Sequence, residues 1–308
     1  MNPQNSNISV IDPIGPAFEK VKLILFKPFD LGKWFVIGFC AWLAYLGQGG
    51  GGGGGGGPNI KALNQGGFHQ ARDFFAQNAH WIIPAIIIGV MLGIVLWVVL
   101  TWLSSRGKFM FLHCVATNKA EVKIPWHKFR KQGNSLLVFR LVAGLVSFLC
   151  LALLVGFSIV LIVLYIKGPL TIAPFVVGLI LLIPIIIAVG IAVVVLFEFM
   201  YNFVVPIMFL GTTSCIAAWR QFLTLLSNNK GRFILYLLFQ LVISIAIGAI
   251  IFAAVIMTCC CAACIMAIPY IGTVLLLPLL VFQRAYSLCY LRQYGPRFDV
   301  FSSEIDTG

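Results

Sequence analysis

The chain has 308 residues, 61% of them hydrophobic and 10% charged, with a mean hydropathy of +1.03 and a formal net charge of +12. Soluble domains carry about 25% charged residues, so the composition excludes a water-facing globule and predicts an all-α, polytopic helical membrane protein. In a soluble chain such a basic balance would point to nucleic acid. Here the Lys and Arg residues flank apolar runs, which marks the cytoplasmic face of a membrane and its anionic headgroups, and no nucleic-acid partner is expected.

Residues 1–33 are predicted to be a cytoplasmic N-terminal segment. Residues 1–15 are polar and read as disordered. They lack the charged, apolar and cleavage regions of a signal peptide, so the first span is expected to act as an uncleaved insertion signal. Between Pro16 and Pro28, apolar residues mixed with Lys20, Lys22 and Lys27 predict a short interfacial helix, with one proline suited to its start and the other to its stop. A six-span membrane domain follows over 34–290, with spans near 34–48, 81–104, 137–166, 170–199, 233–257 and 265–290. The apolar part of the first, Trp34–Leu46, is about 20 Å of helix against a hydrocarbon core of about 30 Å. A re-entrant loop therefore competes with a full span, although it breaks the distribution of positive charge.

Residues 47–80 form an outer loop containing nine consecutive glycines, Gly49–Gly57. A phosphate-binding loop needs spaced glycines and a following Lys-Ser/Thr, so the tract reads as a flexible tether. A short helix with Phe68, Ala71 and Phe75 on one face is expected after it, resting on the outer surface. Ser105–Lys131 is the most basic stretch and reads as a cytoplasmic elbow. Glu198–Arg232 is the clearest water-facing break between long apolar runs. Its second half has Trp219, Phe222, Leu223 and Leu226 at i, i+3, i+4 and i+7, the pattern of an amphipathic helix lying in the membrane interface. The 51-residue charge-free run Phe233–Gln283 is long enough for two spans, with a turn expected around Cys259–Pro269. Residues 291–308 form a cytoplasmic tail. This arrangement places 18 of the 21 Lys and Arg residues on one side, so both termini are expected in the cytoplasm of a bacterium, at its inner membrane.

Two parts of the chain look alike. FMFL (109–112), PWHKF (125–129) and FRLV (139–142) recur as IMFL (207–210), AWRQF (218–222) and FQLV (239–242). A duplication and a chance match in apolar sequence both account for this. The stretch VVPIMFLGTTSCIAAWRQFLTLLSNNKGRF (204–233), with AFEKVKLILFKPFDLGKWFVIGFCAWLAYLG (17–47) and SSRGKFMFL (104–112), resembles an uncharacterised bacterial family of six-helix integral membrane proteins. That family is related to the membrane domain fused to some glycerophosphodiester phosphodiesterases. The resemblance implies a fold rather than an activity, because the catalytic barrel is absent and the nine acids supply no metal-binding carboxylate cluster.

Chemistry-bearing residues are few. Glu198 is the one acid inside an apolar run, and Arg140 and Arg284 are expected at similar depth, with Gln240 at the position matching Arg140 in the second copy. Ionisable groups in spans are costly and usually paired, which predicts a polar cluster of Glu198, Arg140, Arg284 and Gln240. It reads either as a proton or substrate site or as a structural pair near the interface, and its position near the boundary favours the second. Trp126, Lys128, Arg130, Lys131, Trp219 and Arg220 suit anionic lipid headgroups; plain interfacial anchoring explains the same residues. Cys259, Cys260, Cys261 and Cys264 read as small packing residues, with a disulfide as the competing role, since zinc sites use separated ligand pairs. The histidines share no metal-ligand spacing, and Ser147 and Ser158 lack a His partner. No catalytic residue, metal or cofactor is expected, and the chain is not expected to be an enzyme. The prolines inside spans, Pro174, Pro184 and Pro278, do not correspond between the two copies, which weakens a transporter of the inverted-repeat kind. The expected function is a lipid-interacting scaffold or accessory subunit of a membrane assembly, with membrane lipids and other membrane-protein subunits as partners. The alternative is a transporter for a small or lipidic substrate.

Overall fold

The computed structural model describes residues 8–46, 65–168, 171–258, 261–266 and 268–302, and every element there is helical. The chain runs through α1 (Ile14–Val21), α2 (Leu31–Tyr45), α3 (Gln65–Thr117), α4 (Lys123–Lys128), α5 (Arg130–Ile166), α6 (Ile172–Phe199), α7 (Val205–Gly211), α8 (Cys215–Asn228), α9 (Lys230–Met257), α10 (Cys261–Met266), α11 (Pro269–Leu275) and α12 (Leu277–Arg292). Five-residue π-helical turns extend α1 through Lys22–Phe26 and join α6 to α7 through Met200–Val204.

Four helical stretches are long and apolar enough to cross a membrane: His80–Thr117, Arg130–Ile166, Ile172–Gly211 and Lys230–Met257. The first three hold 37 to 40 residues, about 55–60 Å of helix, roughly twice the hydrocarbon thickness. The molecule divides accordingly. The outer part of each long helix exposes its aliphatic and aromatic side chains, as at Ile88, Phe148, Leu181 and Phe252, all at least 60% exposed. A surface of that kind is stable against lipid and not against water. The remaining parts enter a packed base, where Phe109, Phe111, Phe203, Phe222, Phe233, Tyr236, Tyr286 and Tyr290 are fully buried.

Small residues let α2 and α3 meet closely in that base. A Cβ added at Gly107 would lie 2.5 Å from the Leu43 carbonyl carbon and 2.6 Å from the Ala44 nitrogen, so the two backbones touch where only glycine fits. One turn earlier, Ser104 donates to the Ala44 carbonyl at 2.9 Å, capping a C-terminal carbonyl of α2 that has no partner inside its own helix. At the other end, Asp30 caps α2 by accepting from the Gly32 N–H at 2.8 Å. Cys40 and Cys114 bring their thiol sulfurs to 3.8 Å in the same interface.

Several sequence expectations change here. Residues 8–15 are part of the fold: Ser9 exchanges two hydrogen bonds with the Gln293 side chain, and Tyr286 donates to the Val10 carbonyl. The glycine tract lies outside the described residues. The separate outer helix expected before residue 80 is instead the start of α3, which runs unbroken through Pro84. Nor is Ser105–Lys131 simply a water-facing elbow, because α3 continues to Thr117 and buries Arg106, Lys108 and His113. The expected sixth span, 265–290, divides at Leu276 into α11 and α12, and α12 is buried within the base through most of its length. Tyr286 and Tyr290 each need a hydrogen-bond partner for the hydroxyl, and protein supplies the Val10 and Arg232 carbonyls. The first expected span is the 15-residue α2. Among the described residues the count of spanning-length helices is four, against the expected six.

The amphipathic α8 forms over the expected residues. It buries Phe222 completely and leaves Leu223 51% exposed, so its apolar face points into the aromatic base and only its edge faces outward. Phe222 packs against Phe199, Phe203 and Phe233 with ring centroids 5.2–5.4 Å apart.

Candidate functional site

Where the apolar helices leave the base, their side chains do not close over one another. A cleft of about 570 Å³ remains, lined by α2, α3, α5, α6, α9, α12 and the π-helical turn. Its apolar wall includes Trp97, Gly144, Val193, Val194 and Phe197. The floor is polar, with Thr101, Arg140, Glu198, Asn202, Gln240 and Gln283. The cleft therefore joins a lipid-compatible wall to a hydrogen-bonding floor at the boundary between the two zones.

Arg140 is 9% exposed and directs one guanidinium nitrogen at three oxygens of α3. It donates to the Ser104 hydroxyl at 3.2 Å, the Ser105 hydroxyl at 3.1 Å and the Thr101 carbonyl at 3.5 Å. The i, i+3, i+4 spacing of 101, 104 and 105 puts all three on one helix face. Hydrogen bonds to a charged group are each worth about 1.5–3 kcal/mol, which offsets the desolvation of the cation.

Arg284 is 1% exposed and satisfies a defect in the backbone. In the π-helical turn the Val205 N–H bonds back five residues to the Met200 carbonyl. The same pattern would pair the Tyr201 carbonyl with residue 206, which is a proline and has no N–H. Arg284 Nη1 fills that gap at 2.7 Å. Its Nε and Nη2 have no partner. The guanidinium also lies 4.5 Å from the Tyr201 ring centroid, and the Lys108 ammonium lies 4.7 Å from it. Lys108 is fully buried, and its Nζ has no hydrogen-bond partner.

Glu198 faces the cleft and accepts a hydrogen bond from Asn202 Nδ2 at 2.9 Å, one helical turn along the chain. No nitrogen of Arg140 or Arg284 comes within the 4.0 Å of a salt bridge to Glu198; the ion pair Arg292–Asp299, at 3.2 Å, lies elsewhere. The expected direct pairing of Glu198 with Arg140 or Arg284 is thus replaced by the nearer Asn202. Glu198, Arg140 and Gln240 share the cleft, while Arg284 sits behind the Tyr201 ring. Lys108, Tyr201 and Asn202 escaped the sequence reading. Asn202 and Tyr201 were findable at i+4 and i+3 from Glu198. Lys108 looked like one more flanking cation.

The residues expected to meet lipid headgroups separate into two groups. Lys128, Arg130, Lys131 and Arg220 are exposed. Trp126 is engaged by protein: the Arg106 guanidinium lies 4.4 Å from the Trp102 ring and 4.9 Å from the Trp126 ring. Trp219 packs on Phe139 and Phe222 with centroids 5.6 and 5.7 Å away. Cys264 is an exposed free thiol, and Cys259 and Cys260 lie outside the described residues. Among the described residues no three His, Cys, Asp or Glu side chains are grouped to hold a metal ion. Cys215, at the start of α8, is buried, which pushes its thiol up to about 12 and leaves it protonated and unreactive at neutral pH.

No curated protein and no solved structure matches this chain. A family model matches residues 8–277, which includes the cleft floor up to Gln240 and both arms of the α2–α3 contact. The chain belongs to that family, a family of unknown function designated DUF7544.

Proposed function

We propose that the protein is a non-catalytic, multi-pass component of the bacterial inner membrane, with both ends in the cytoplasm, that holds an amphiphile in its cleft and serves as a lipid-interacting scaffold or accessory subunit. The observation that carries this reading is the cleft itself, with an aliphatic wall continuous with the lipid-facing helices and a floor of Arg140, Gln240 and Gln283. Acyl chains suit the wall, and a polar head suits the floor. The positive-inside distribution of Lys and Arg supports the orientation, and the resemblance of 204–233 to membrane domains that accompany glycerophosphodiester phosphodiesterases is in keeping with a lipid setting.

The test is steric. Gly144 lies on the cleft wall with Trp97 as the nearest side chain, 3.9 Å from a Cβ placed there. Gly144→Trp should fill the cleft without touching the base. Native mass spectrometry of the wild type, extracted from membranes, is expected to show a retained lipid that the variant lacks. Equal lipid retention by a folded Gly144→Trp protein would sink the reading. A transporter is the second reading, favoured by Glu198, an acid that faces the cleft from a helical stretch long and apolar enough to cross a membrane. Flux of a lipidic substrate across liposomes that is lost in Glu198→Gln would favour it over a scaffold.

A further inference from the structure

We propose that the polar part of the cleft's occupant is anionic, a phosphate or carboxylate bound by Arg140 within the field of Lys108 and Arg284. The inference rests on the reading of the cleft as an amphiphile site and specifies the chemistry that site selects.

Arg140 lines the cleft, and Lys108 and Arg284 both lie against Tyr201, whose ring also lines it. Glu198 is the acid at the cleft, and it is engaged by the neutral Asn202. Three basic side chains therefore lie around one carboxylate where the cleft meets the packed base. Buried cations without counter-charge are strongly unfavourable, and a bound anion removes that cost.

Hydrogen-bonding capacity points the same way. Lys108 Nζ and Arg284 Nε and Nη2 are buried and have no partner; neither residue lines the cleft, so they act on a ligand through charge and leave the hydrogen bonding to Arg140. Arg140 commits only Nη1 to α3, leaving its remaining donors for a ligand. A guanidinium with free donors at the end of an apolar wall matches the forked oxygens of a phosphate or carboxylate. A zwitterionic head would bring a fourth cation into a site that already has three, and a neutral head would leave the charges uncompensated.

The experiment uses the full chain in nanodiscs of phosphatidylglycerol or phosphatidylcholine with identical acyl chains, and in detergent with inorganic phosphate. The thermal unfolding midpoint and retained lipid are measured in each. Phosphatidylglycerol is expected to raise the midpoint above phosphatidylcholine. Arg140→Gln should weaken retention of the anionic lipid by about tenfold or more. Neutralising the exposed Lys128, Arg130 and Lys131 together should leave that increment in place, because they serve the surface and not the cleft. Lys108→Met provides a signature that a merely structural lysine would not give: a higher midpoint in lipid-free detergent together with a smaller gain from phosphatidylglycerol. Equal midpoints in the two lipids, or an increment that follows the surface triple variant and ignores both Arg140→Gln and Lys108→Met, would overturn the anionic assignment. The Gly144→Trp result is independent of charge, so lipid loss in that variant with no lipid preference in the wild type would overturn this inference and leave the amphiphile reading intact. Stabilisation by inorganic phosphate alone, with no lipid retained, would support the anion site and overturn the amphiphile reading.

Discussion

Gly107→Ala should lower stability by about 3 kcal/mol or more, at the upper end of overpacking effects. The added methyl would sit 2.5–2.7 Å from the backbone of Leu43 and Ala44 and the Leu43 Cβ. Backbone cannot rotate away as a flexible side chain can, so α2 must lift from α3. That displacement would also break the Ser104 bond to the Ala44 carbonyl and disturb the hydroxyls that hold Arg140. Gly89 and Gly93 provide the control on the same helix: nothing lies within 4 Å of a Cβ at either position, and alanine there should be neutral to within about 0.5 kcal/mol or slightly stabilising. Thermal or SDS unfolding of the three variants in one detergent checks the contrast. An unchanged midpoint for Gly107→Ala would mean that the two helices do not meet as closely as described.

Phe203→Ala is the second large effect, expected at about 3–5 kcal/mol. The Phe203 side chain is fully buried in the π-helical turn, and its ring meets those of Phe199, Phe222, Phe233, Tyr236 and Tyr290 at centroid distances of 4.9–6.1 Å. Those partners come from α6, α8, α9 and α12, so one truncation opens a cavity where four helices converge. Phe252, on α9, is 67% exposed, and Phe252→Ala should cost much less because lipid can refill the space. Comparable losses for the two would show that the aromatic base is not the stabilising centre of the fold.

The helical class and the amphipathic α8 were legible because both rest on local pattern: long apolar runs and a 3.6-residue period. The fate of the basic residues was not. A lysine beside an apolar run looks like an interfacial anchor, and Lys22, Lys27, Lys128 and Lys131 are indeed exposed. Lys108 carries the same local signature yet is fully buried, because Tyr201, 93 residues on, covers it. No local pattern contains that ring. The burial of the sixth expected span was not legible for a related reason: the apolar count over 265–290 records hydrophobicity and cannot tell a lipid-facing helix from one enclosed by protein. For the cleft, Glu198 and Arg140 were legible by depth along their helices and Gln240 by its match to Arg140 in the second copy, and the i+3 and i+4 neighbours of Glu198 could have been added from helical spacing. Arg284 was placed at the right depth but given the wrong partner, since its bond is to a carbonyl left vacant by Pro206, a relation visible only when the π-helical register is known.

That vacancy ties two distant positions together. An N–H restored at 206 would compete for the Tyr201 carbonyl, and the arginine at 284 would lose its one hydrogen-bonded anchor in the base. A neutral residue at 284 beside Pro206 would strand the carbonyl instead. Each residue is tolerable because of the other, so the fold should accept replacement of the pair more readily than replacement of either member. The proline and the arginine act as a single structural unit, 78 residues apart in the chain.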